Sequence, residues 1–300
     1  MKIAYFSSGR FGAGLLSNLL KREIRPGVVF TLPDRPQGRG LKLHPVPVKA
    51  LSEREGLPVR YLPLCEEDGN LLKEYDVILS CDIGFIFPSW MVQSYACYNL
   101  HPSLLPRWRG PAPIFWTIKT GDIETGITLF RMEEAIDSGM IALQKRVKVE
   151  SDWNYAQLEG VLLGKGAKLI ERFLALYPSI GLTPQDGEAT YARKFGKKDL
   201  KINWENPCQL VYNLIRASAP YWGSWTSVGG KRLKIFAGEM VLKDGFVPGQ
   251  IVVEDGGIIV GCGQGAIKLL NVQIEGKRRM SVREFLSGYR SFLMSAGRME

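Results

Sequence analysis

The sequence predicts an α/β fold in which a Rossmann-like, mostly parallel sheet is followed by a smaller β-barrel domain. Over residues 1–177, short apolar runs alternate with patterns of helical spacing. Near residue 180 a polar, basic stretch interrupts this alternation, and beyond it short strand patterns are separated by turn residues. A length of 300 residues is enough for two such domains.

Hydrophobic spacing assigns the amino-terminal elements in order. KIAYF is a strand, the leucines at 15, 16, 19 and 20 repeat at helical spacing, and GVVFTL is the next strand. This βαβ unit predicts parallel pairing. The segments that follow are predicted as a helix in PVKALSEREG, strands in VILSCDI and CYNLH, a short helix in PIFWTIKTG, strands in GITLFRM and IALQKRVKVE, and a long helix over 154–177.

The same patterns divide the chain into three parts. Residues 1–182 form the sheet domain, residues 183–200 form a linker, and residues 201–300 form the barrel domain. In the last part a helix is predicted around Leu210–Ile215, and RLKIF and GQIVVEDGGIIVGCGQGAIKLL predict short strands joined by turns.

The composition is that of a globular protein without membrane or secretory features. The chain is 45% hydrophobic and 23% charged, and no run approaches the roughly 18 apolar residues that a membrane helix requires. The five cysteines are far apart and include no CxxC pair, which favours reduced thiols over disulfides or a zinc site. The sequence therefore predicts a cytoplasmic protein with neither a metal site nor a membrane partner.

The positive charge is concentrated in the last third of the chain. Residues 1–190 hold 22 lysines and arginines against 21 acidic residues, whereas residues 191–300 hold 17 against 9. This asymmetry is typical of proteins that bind a polyanion such as a nucleic acid. A basic surface that only keeps the protein soluble would give the same pattern, so charge alone leaves both interpretations open.

The glycines after the first strand do not predict a dinucleotide cofactor. SSGRFGAG places Gly9, Gly12 and Gly14 after the strand, but their spacing is not GxGxxG, and no acidic residue ends the next strand in the usual context. We interpret them as a turn that lets the strand and helix pack closely.

Asn99, His101 and Asp137 are the candidate catalytic residues. In a strand, positions i and i+2 face the same side, so CYNLH would bring a carboxamide and an imidazole together at the carboxyl end, where open α/β sheets bind ligands. Such a pair suits chemistry in which a carbonyl oxygen gains charge while a proton moves. Asp137, in the acidic loop EEAIDSG, would fix the imidazole tautomer. A strand-capping histidine and a turn aspartate are the alternative interpretations.

These segments together resemble two signatures of the formyltransferase family that uses 10-formyltetrahydrofolate. NLHPSLLPRWRGPAP is similar to the family core N-[IV]-H-x-S-L-L-P-x-x-R-G, and GITLFRMEEAIDSG is similar to its second signature, which ends in D-x-G. The resemblance covers nearly the whole chain. PDRPQGRGLK resembles a loop of the members that act on tRNA, and ATYARKFGKKDLKINWENP and the segments after it resemble their linker and OB-like barrel.

The resemblance implies formyl transfer from 10-formyltetrahydrofolate to the α-amine of methionyl initiator tRNA, without a metal or a covalent enzyme intermediate. It implies that Asn99 binds the formyl oxygen, that His101 helps to hold the charge and manages the amine proton, and that Asp137 orients His101 and an ordered water. Backbone groups of the following residues are implied to line the folate pocket: Phe85, Ile86, Phe87, Ser103, Leu104, Leu105, Ile136 and Ser138.

The implied tRNA contacts are basic residues of the inserted loop and of the last third of the chain, with Arg39 entering the acceptor end. They would bind phosphates without reading bases. They are Arg35, Arg39, Lys42, Lys194, Lys197, Lys198, Lys201, Lys231 and Arg232, with Lys234 and residues 277–279 as further candidates. His44, near the same loop, is interpreted as structural or exposed.

Two other functions compete with this one. A formyltransferase that acts on an amino-sugar nucleotide can share the whole core, and PDRPQGRG is the feature that argues against it. A non-catalytic RNA-binding protein of the same fold is the second, and the intact Asn99, His101 and Asp137 argue against that. The expected state is a monomer.

Overall fold

A computed structural model describes the backbone of residues 1–37, 42–243 and 245–300, and the side chains of all these residues except 35–37 and 42. The chain folds into two compact units. Unit 1 comprises Met1–Pro113, Glu124–Lys148 and Glu159–Ala192. Unit 2 comprises Ile114–Ile123, Val149–Leu158 and Arg193–Glu300.

A seven-stranded sheet is the centre of unit 1 in the part of the chain that is described. Its strands are β1 (Ile3–Phe6), β2 (Val28–Thr31), β5 (Val59–Tyr61), β6 (Val77–Ser80), β7 (Cys97–His101), β8 (Glu124–Arg131) and β9 (Ile141–Lys148), in the spatial order β5-β2-β1-β6-β7-β8-β9. A separate two-stranded hairpin pairs β3 (Arg35–Gln37) with β4 (Lys42–His44).

The first five strands in that order are parallel, and β8 and β9 add an antiparallel pair at one edge. Every residue of β1, β2 and β6 is buried, which explains their continuous apolar sequences. One side of the sheet packs Phe6 on Phe30 with ring centroids 4.4 Å apart. The sheet is therefore the mostly parallel one that the sequence predicts.

Five helices of the described residues were predicted from the sequence, whereas those at 66–72, 89–94 and 282–296 were not. The helices are α1 (Arg10–Leu20), α2 (Pro47–Arg54), α3 (Glu66–Leu72), α4 (Ser89–Ser94), α5 (Pro113–Thr120), α6 (Tyr155–Leu176), α7 (Cys208–Ser218) and α8 (Val282–Ala296), with a 3-10 turn at Lys197–Leu200. The described residues contain no helix with both the length and the apolar character that a membrane span needs.

Unit 2 contains an antiparallel sheet, as the sequence predicts. Its strands are β10 (Ser224–Val228), β11 (Lys231–Val241), β12 (Ile251–Glu254), β13 (Gly257–Gly261), β14 (Ala266–Ile274) and β15 (Met280–Ser281). The main path runs β10-β11-β14-β13-β12, and β15 pairs with β14. Helix α8 begins at an N-cap serine, Ser281, whose hydroxyl accepts the N–H of Glu284.

Residues 297–300 join the two edge strands of this sheet. Met299 bridges Val228 at the end of β10, and Arg298 bridges Gln250 beside β12. Backbone bonds support both bridges, including Ser227 N–H to the Glu300 carbonyl at 3.0 Å and Met299 N–H to the Gly249 carbonyl at 2.8 Å. Because both edges gain partners, fewer backbone groups remain exposed at the edges of the sheet.

An ion pair in unit 2 makes stability depend on pH. Arg193 donates to both carboxylate oxygens of Asp199, and Asp199 also accepts the N–H of Gly196 at 2.8 Å. The Arg193 guanidinium lowers the pKa of Asp199 to about 2. The folded state therefore binds this proton less tightly than the unfolded state does. The stabilisation is complete above the unfolded pKa and is lost as the pH falls through about 4 toward 2.

We expect Asp199→Asn to lower the free energy of unfolding by about 1 kcal/mol near neutral pH, a value reduced from the full shift because Arg193 is largely exposed. The difference from the unmodified protein should shrink as the pH approaches the acid range. Urea unfolding across a pH series measures it, with Asp255→Asn as the control because Asp255 is an exposed aspartate of unit 2. A difference that stays constant with pH would contradict this assignment.

Candidate active site

Parallel strands β1, β6 and β7 bring three loops to one edge of the sheet. Phe6 is in register with Ser80, and Ser80 is in register with Asn99. The loops that leave these strands therefore lie side by side at the carboxyl edge, the usual ligand-binding edge of an open α/β sheet. Strand β7 ends at His101, where the sequence predicts it to end.

The hydrogen bonds of His101 define its tautomer. The ring is 5% exposed, and its Nε2 lies 2.8 Å from the carbonyl oxygen of Trp108. A carbonyl can only accept, so Nε2 carries the proton of the neutral ring and Nδ1 presents a lone pair. Nδ1 lies 3.6 Å from Oδ2 of Asp137. The structure thus brings together these two predicted residues, with the basic nitrogen facing the carboxylate.

Asp137 is held by the backbone of the loop after His101. Its Oδ2 accepts the N–H of Gly110 at 2.7 Å, and its own backbone is left-handed, with φ of 52°, a conformation that aspartate tolerates better than most residues. Two residues on, Gly139 packs against the carbonyl of Arg131, where an added Cβ would lie 1.8 Å from the oxygen. The D-x-G pattern therefore has a steric reason as well as a chemical one.

The side-chain amide of Asn99 lies at the same end of β7. Its side chain is half-buried and makes no hydrogen bond within the described part of the chain. It lies two positions before His101, so both side chains leave the same face of the strand. The amide N–H groups are available to a ligand, as an oxyanion donor must be.

The site contains no activated nucleophile among the residues described here. The Ser103 hydroxyl is buried and donates to the Arg107 carbonyl at 2.6 Å. Burial raises the pKa of the Cys97 thiol to about 12 and raises that of Cys81 as well, so both remain thiols at neutral pH. A base, an orienting carboxylate and an amide donor remain, which suits direct group transfer to an amine at a carbonyl carbon.

The first βα turn holds a carboxylate where a dinucleotide fold holds phosphate. Oδ2 of Asp82, which follows β6, accepts the N–H groups of Phe11 at 2.9 Å and Gly12 at 3.3 Å, at the start of α1. A Cβ on Gly9 would lie 2.0 Å from this oxygen. Desolvation raises the pKa of the Asp82 carboxyl although the two backbone bonds lower it. The Asp82 carboxylate therefore occupies the N-terminus of α1, where a phosphate would otherwise bind.

A polar network from β8 and β9, which the sequence did not reveal, fixes the loop after His101. The buried Thr128 hydroxyl donates to the Ser103 carbonyl at 2.7 Å and accepts from Leu105 N–H at 3.3 Å and from Gln144 Nε2 at 2.9 Å. Gln144 also donates to the Leu105 carbonyl at 3.1 Å. Thr128 is opposite His101 in the β7–β8 register, so pairing the two predicted strands would have identified it.

The predicted linker also contributes to the site. Arg109 N–H donates to the Thr190 carbonyl at 2.8 Å, and Ala192 N–H donates to the Arg109 carbonyl at 2.7 Å. The Thr190 hydroxyl accepts the N–H of Trp108 at 2.9 Å. Gln185 bonds the Arg109 side chain. Up to Ala192 this stretch is therefore part of unit 1.

The residues predicted to contact folate differ in their exposure. Ile86 and Ile136 are 78% and 67% exposed, whereas Phe87 is buried and packs on Phe6. Phe85 and Leu104 are half-buried, and Leu105 is buried. Ser138 is half-buried, and its hydroxyl donates to the Ala135 carbonyl at 3.0 Å.

The predicted tRNA contacts are in two places. Arg39 lies outside the described residues, and Arg35 and Lys42 lie in the hairpin strands β3 and β4. Lys234 is half-buried and donates to the Trp222 carbonyl at 2.9 Å. The remaining candidates are exposed in unit 2: Lys194, Lys197, Lys198, Lys201, Lys231 and Arg232, together with residues 277–279.

Trp225 gathers part of this charge into one patch, which we call the Trp225 patch (Lys197, Lys198, Lys201, Trp225 and Arg232). Lys201 Nζ and the Arg232 guanidinium lie 5.7 Å and 4.9 Å from the Trp225 ring centroid. The indole N–H donates to the Lys197 carbonyl at 2.8 Å. Among the described residues, no group of three or more His, Cys, Asp or Glu side chains has the arrangement of a metal site.

A parallel α/β sheet with an amide, an imidazole and a carboxylate at its carboxyl edge defines a class of group-transfer enzymes that act at a carbonyl carbon. Comparison with known families specifies the class. The formyl transferase model matches residues 1–173, and the model of the formyl transferase C-terminal domain matches residues 194–290. The chain therefore belongs to the formyl transferase family.

A relative agrees with this assignment, and solved structures share the fold. The chain is 37% identical over 298 residues to a methionyl-tRNA formyltransferase of Coprothermobacter proteolyticus, covering 97% of each chain. Its fold is similar to that of HypX from Aquifex aeolicus in complex with tetrahydrofolic acid, with a TM-score of 0.62, 21% identity, and coverage of 96% of this chain and 47% of that one. It is also similar in fold to the sugar 3N-formyl transferase WlaRD, with a TM-score of 0.63, 17% identity, and coverage of 93% and 99%.

Proposed function

We propose that this protein transfers the formyl group of 10-formyltetrahydrofolate to the α-amine of methionyl initiator tRNA. The observation that carries the proposal is the end of β7, where the lone pair of His101 Nδ1 faces Asp137 and the uncommitted amide of Asn99 leaves the same strand face. The name of the 37% identical relative supports the choice of acceptor.

The donor set at this edge fits a formylated folate, which when bound supplies an electrophilic formyl carbon. The Asn99 amide donates a hydrogen bond to the formyl oxygen and stabilises the negative charge that develops there. Ile86, Ile136 and the half-buried Phe85 provide apolar surface in the adjoining loops. Such surface is what an aromatic ligand requires in addition to a few polar anchors.

His101 and Asp137 manage the proton. The Nδ1 lone pair accepts a proton from the attacking amine as its nitrogen bonds to the formyl carbon, and the imidazolium then gives that proton to the folate nitrogen as the carbon–nitrogen bond to the folate breaks. Asp137, 3.6 Å away, stabilises the imidazolium that results. That separation exceeds a direct hydrogen bond, and it is short enough for the carboxylate to stabilise the positive charge electrostatically.

Unit 2 supplies phosphate contacts for the tRNA in this proposal. In the Trp225 patch, Lys201 and Arg232 lie 5.7 Å and 4.9 Å from the indole centroid, and the indole N–H donates to the carbonyl of Lys197, which begins the 3-10 turn that also contains Lys198. Residues 191–300 hold most of the excess positive charge. Arg35, Arg39 and Lys42 are proposed to contact the acceptor end. A cytoplasmic location and a monomeric state belong to the same proposal, and light scattering of the purified protein tests the latter.

Changing Lys197 and Lys198 together to alanine should flatten the salt dependence of Met-tRNA binding. Each lost phosphate contact removes about 0.7–0.9 from the slope of log affinity against log salt, because fewer counterions are released on binding. The double variant should therefore lose about 1.4–1.8 units of slope. Filter binding or fluorescence anisotropy over a salt series measures it.

Lys165→Ala with Lys168→Ala is the matched control, since both lysines are exposed on α6 in unit 1. This pair removes the same net charge and should leave the slope unchanged. If the two double variants change the slope equally, the Trp225 patch has no special role in binding.

One assay tests the proposed function against its runner-up. Purified protein is given 10-formyltetrahydrofolate with either Met-tRNA or an amino-sugar nucleotide as acceptor. Formylation of Met-tRNA alone is expected. Formylation of the sugar alone would favour the function named by the WlaRD structure, and no transfer to either acceptor would favour a binding protein.

A further inference from the structure

Gln185 makes four hydrogen bonds to the backbone and side chains around the catalytic aspartate. Its Nε2 donates to the carbonyls of Asp137 at 2.8 Å and Gly139 at 2.9 Å. Its Oε1 accepts from Nε of Arg109 at 3.1 Å and from Nη2 at 2.7 Å. The carboxamide thus joins the loop that bears Asp137 to the loop that follows His101.

These bonds form a closed ring of contacts. Gln185 holds Arg109, whose neighbour Gly110 donates its N–H to Oδ2 of Asp137 at 2.7 Å. Gln185 also holds the main chain of Asp137 itself. The carboxylate is therefore fixed through both its backbone and its oxygen, although φ of 52° at Asp137 is a conformation that costs energy to maintain.

Only a carboxamide of this length satisfies all the partners. Two carbonyls require two N–H donors, and a guanidinium requires an acceptor, and glutamine provides both in one planar group. Glutamate keeps the acceptor but turns an oxygen toward the two carbonyls. Arginine and lysine provide donors without the acceptor, and apolar residues provide neither.

We propose that Gln185 is a positioning residue of the formyl transfer reaction, which holds the Asp137 carboxylate opposite Nδ1 of His101. This inference rests on the proposed function for its kinetic consequences but not for its structural ones. Gln185 does not contact the reacting groups itself. Its effect on turnover acts through the geometry of Asp137, on which the stabilisation of the imidazolium depends.

In the full-length protein, Gln185→Ala should lower kcat for Met-tRNA formylation by about 10- to 100-fold and leave the KM for the folate donor within about threefold, because the loss falls on the transition state. Gln185→Glu should lose as much, since it cannot donate to the two carbonyls. Gln93→Ala is the control. The Gln93 amide donates to Glu134 of the same loop at 2.9 Å, on the exposed side, and its loss should change kcat less than twofold.

A double-mutant cycle separates positioning from general damage. In an Asp137→Asn background, Gln185→Ala should lower kcat by less than about threefold, because the residue it positions has already lost its charge. An equal loss in both backgrounds would overturn the proposal, as would a kcat within threefold of normal for Gln185→Ala alone. If Gln185→Ala does not fold, the same comparison made with Gln185→Glu decides the question.

Amide hydrogen exchange gives a readout without substrate. The Gly110 N–H, bonded to Asp137, should exchange at least about tenfold faster in Gln185→Ala than in Gln93→Ala, because the ring of contacts is broken. Unchanged protection would overturn the positioning role. The two proposals can also fail separately. If Gln185→Ala loses protection at Gly110 but the unmodified protein formylates neither acceptor, the proposed function is contradicted and the positioning role is still supported.

Discussion

Replacing His101 with alanine is expected to lower kcat for Met-tRNA formylation by at least about 10²–10³-fold, the range typical for loss of an essential proton acceptor or oxyanion donor. His101 is the base of the proposed reaction, and its Nδ1 lies 3.6 Å from Oδ2 of Asp137. Alanine removes that base and leaves the Trp108 carbonyl without its 2.8 Å donor. Steady-state kinetics with the folate donor saturating measures the loss.

Two controls distinguish chemistry from damage to the fold. His44→Ala removes the other histidine of the chain, which is exposed at the end of β4, and should leave kcat unchanged. Added imidazole should partly restore turnover to His101→Ala, because the cavity left by the ring can hold a free base. A folded His101→Ala protein with near-normal kcat would show that the proposed proton transfer is wrong.

The sheet could be predicted from the sequence because its residues follow local rules. Strands such as Ile3–Phe6 and Val77–Ser80 are buried on both faces, so their sequences are apolar runs rather than alternating patterns. The residues between them follow helical spacing. Those two signals predict most of the elements and, through the connecting helices, the parallel pairing. They missed α3, α4, α8 and the short strands β3, β4 and β5.

The way in which both edges of the second sheet gain partners could not be predicted in the same way. It depends on residues 297–300, which reach two strands far away in sequence by isolated bridges. Backbone pairing of this kind leaves no hydrophobic period in so short a segment. The position of Gln185 was equally inaccessible, because a glutamine in a polar, glycine-containing stretch carries no local sign of its four long-range bonds.

The proposed catalytic residues could be predicted in part. Asn99 and His101 are two apart in one strand, so their shared face follows from geometry alone. The proximity of Asp137 to His101 could be predicted only with the help of the family resemblance, since about 35 residues and a folded loop separate the two. Neither source gave the orientation of the ring, in which Nε2 donates to the Trp108 carbonyl and Nδ1 faces Asp137.

Replacing Asp137 with asparagine is expected to lower kcat by about 10²–10³-fold while the protein stays folded. Asparagine is the matched change because it tolerates the left-handed backbone, φ 52°, and its carbonyl oxygen can still accept the N–H of Gly110. That oxygen takes the place of Oδ2, so a neutral carbonyl then faces Nδ1 of His101. It provides no negative charge to stabilise the imidazolium.

The measurements that test Asp137→Asn are kcat, folate affinity and thermal unfolding. We expect the loss to be confined to kcat, with folate affinity and the midpoint of unfolding close to those of the unmodified protein. Asp137→Ala should be less stable as well, because it loses the acceptor for Gly110 and places an alanine at a positive φ. If Asp137→Asn keeps kcat within about tenfold, the carboxylate acts mainly as an acceptor for the Gly110 loop, and its negative charge is not what His101 requires.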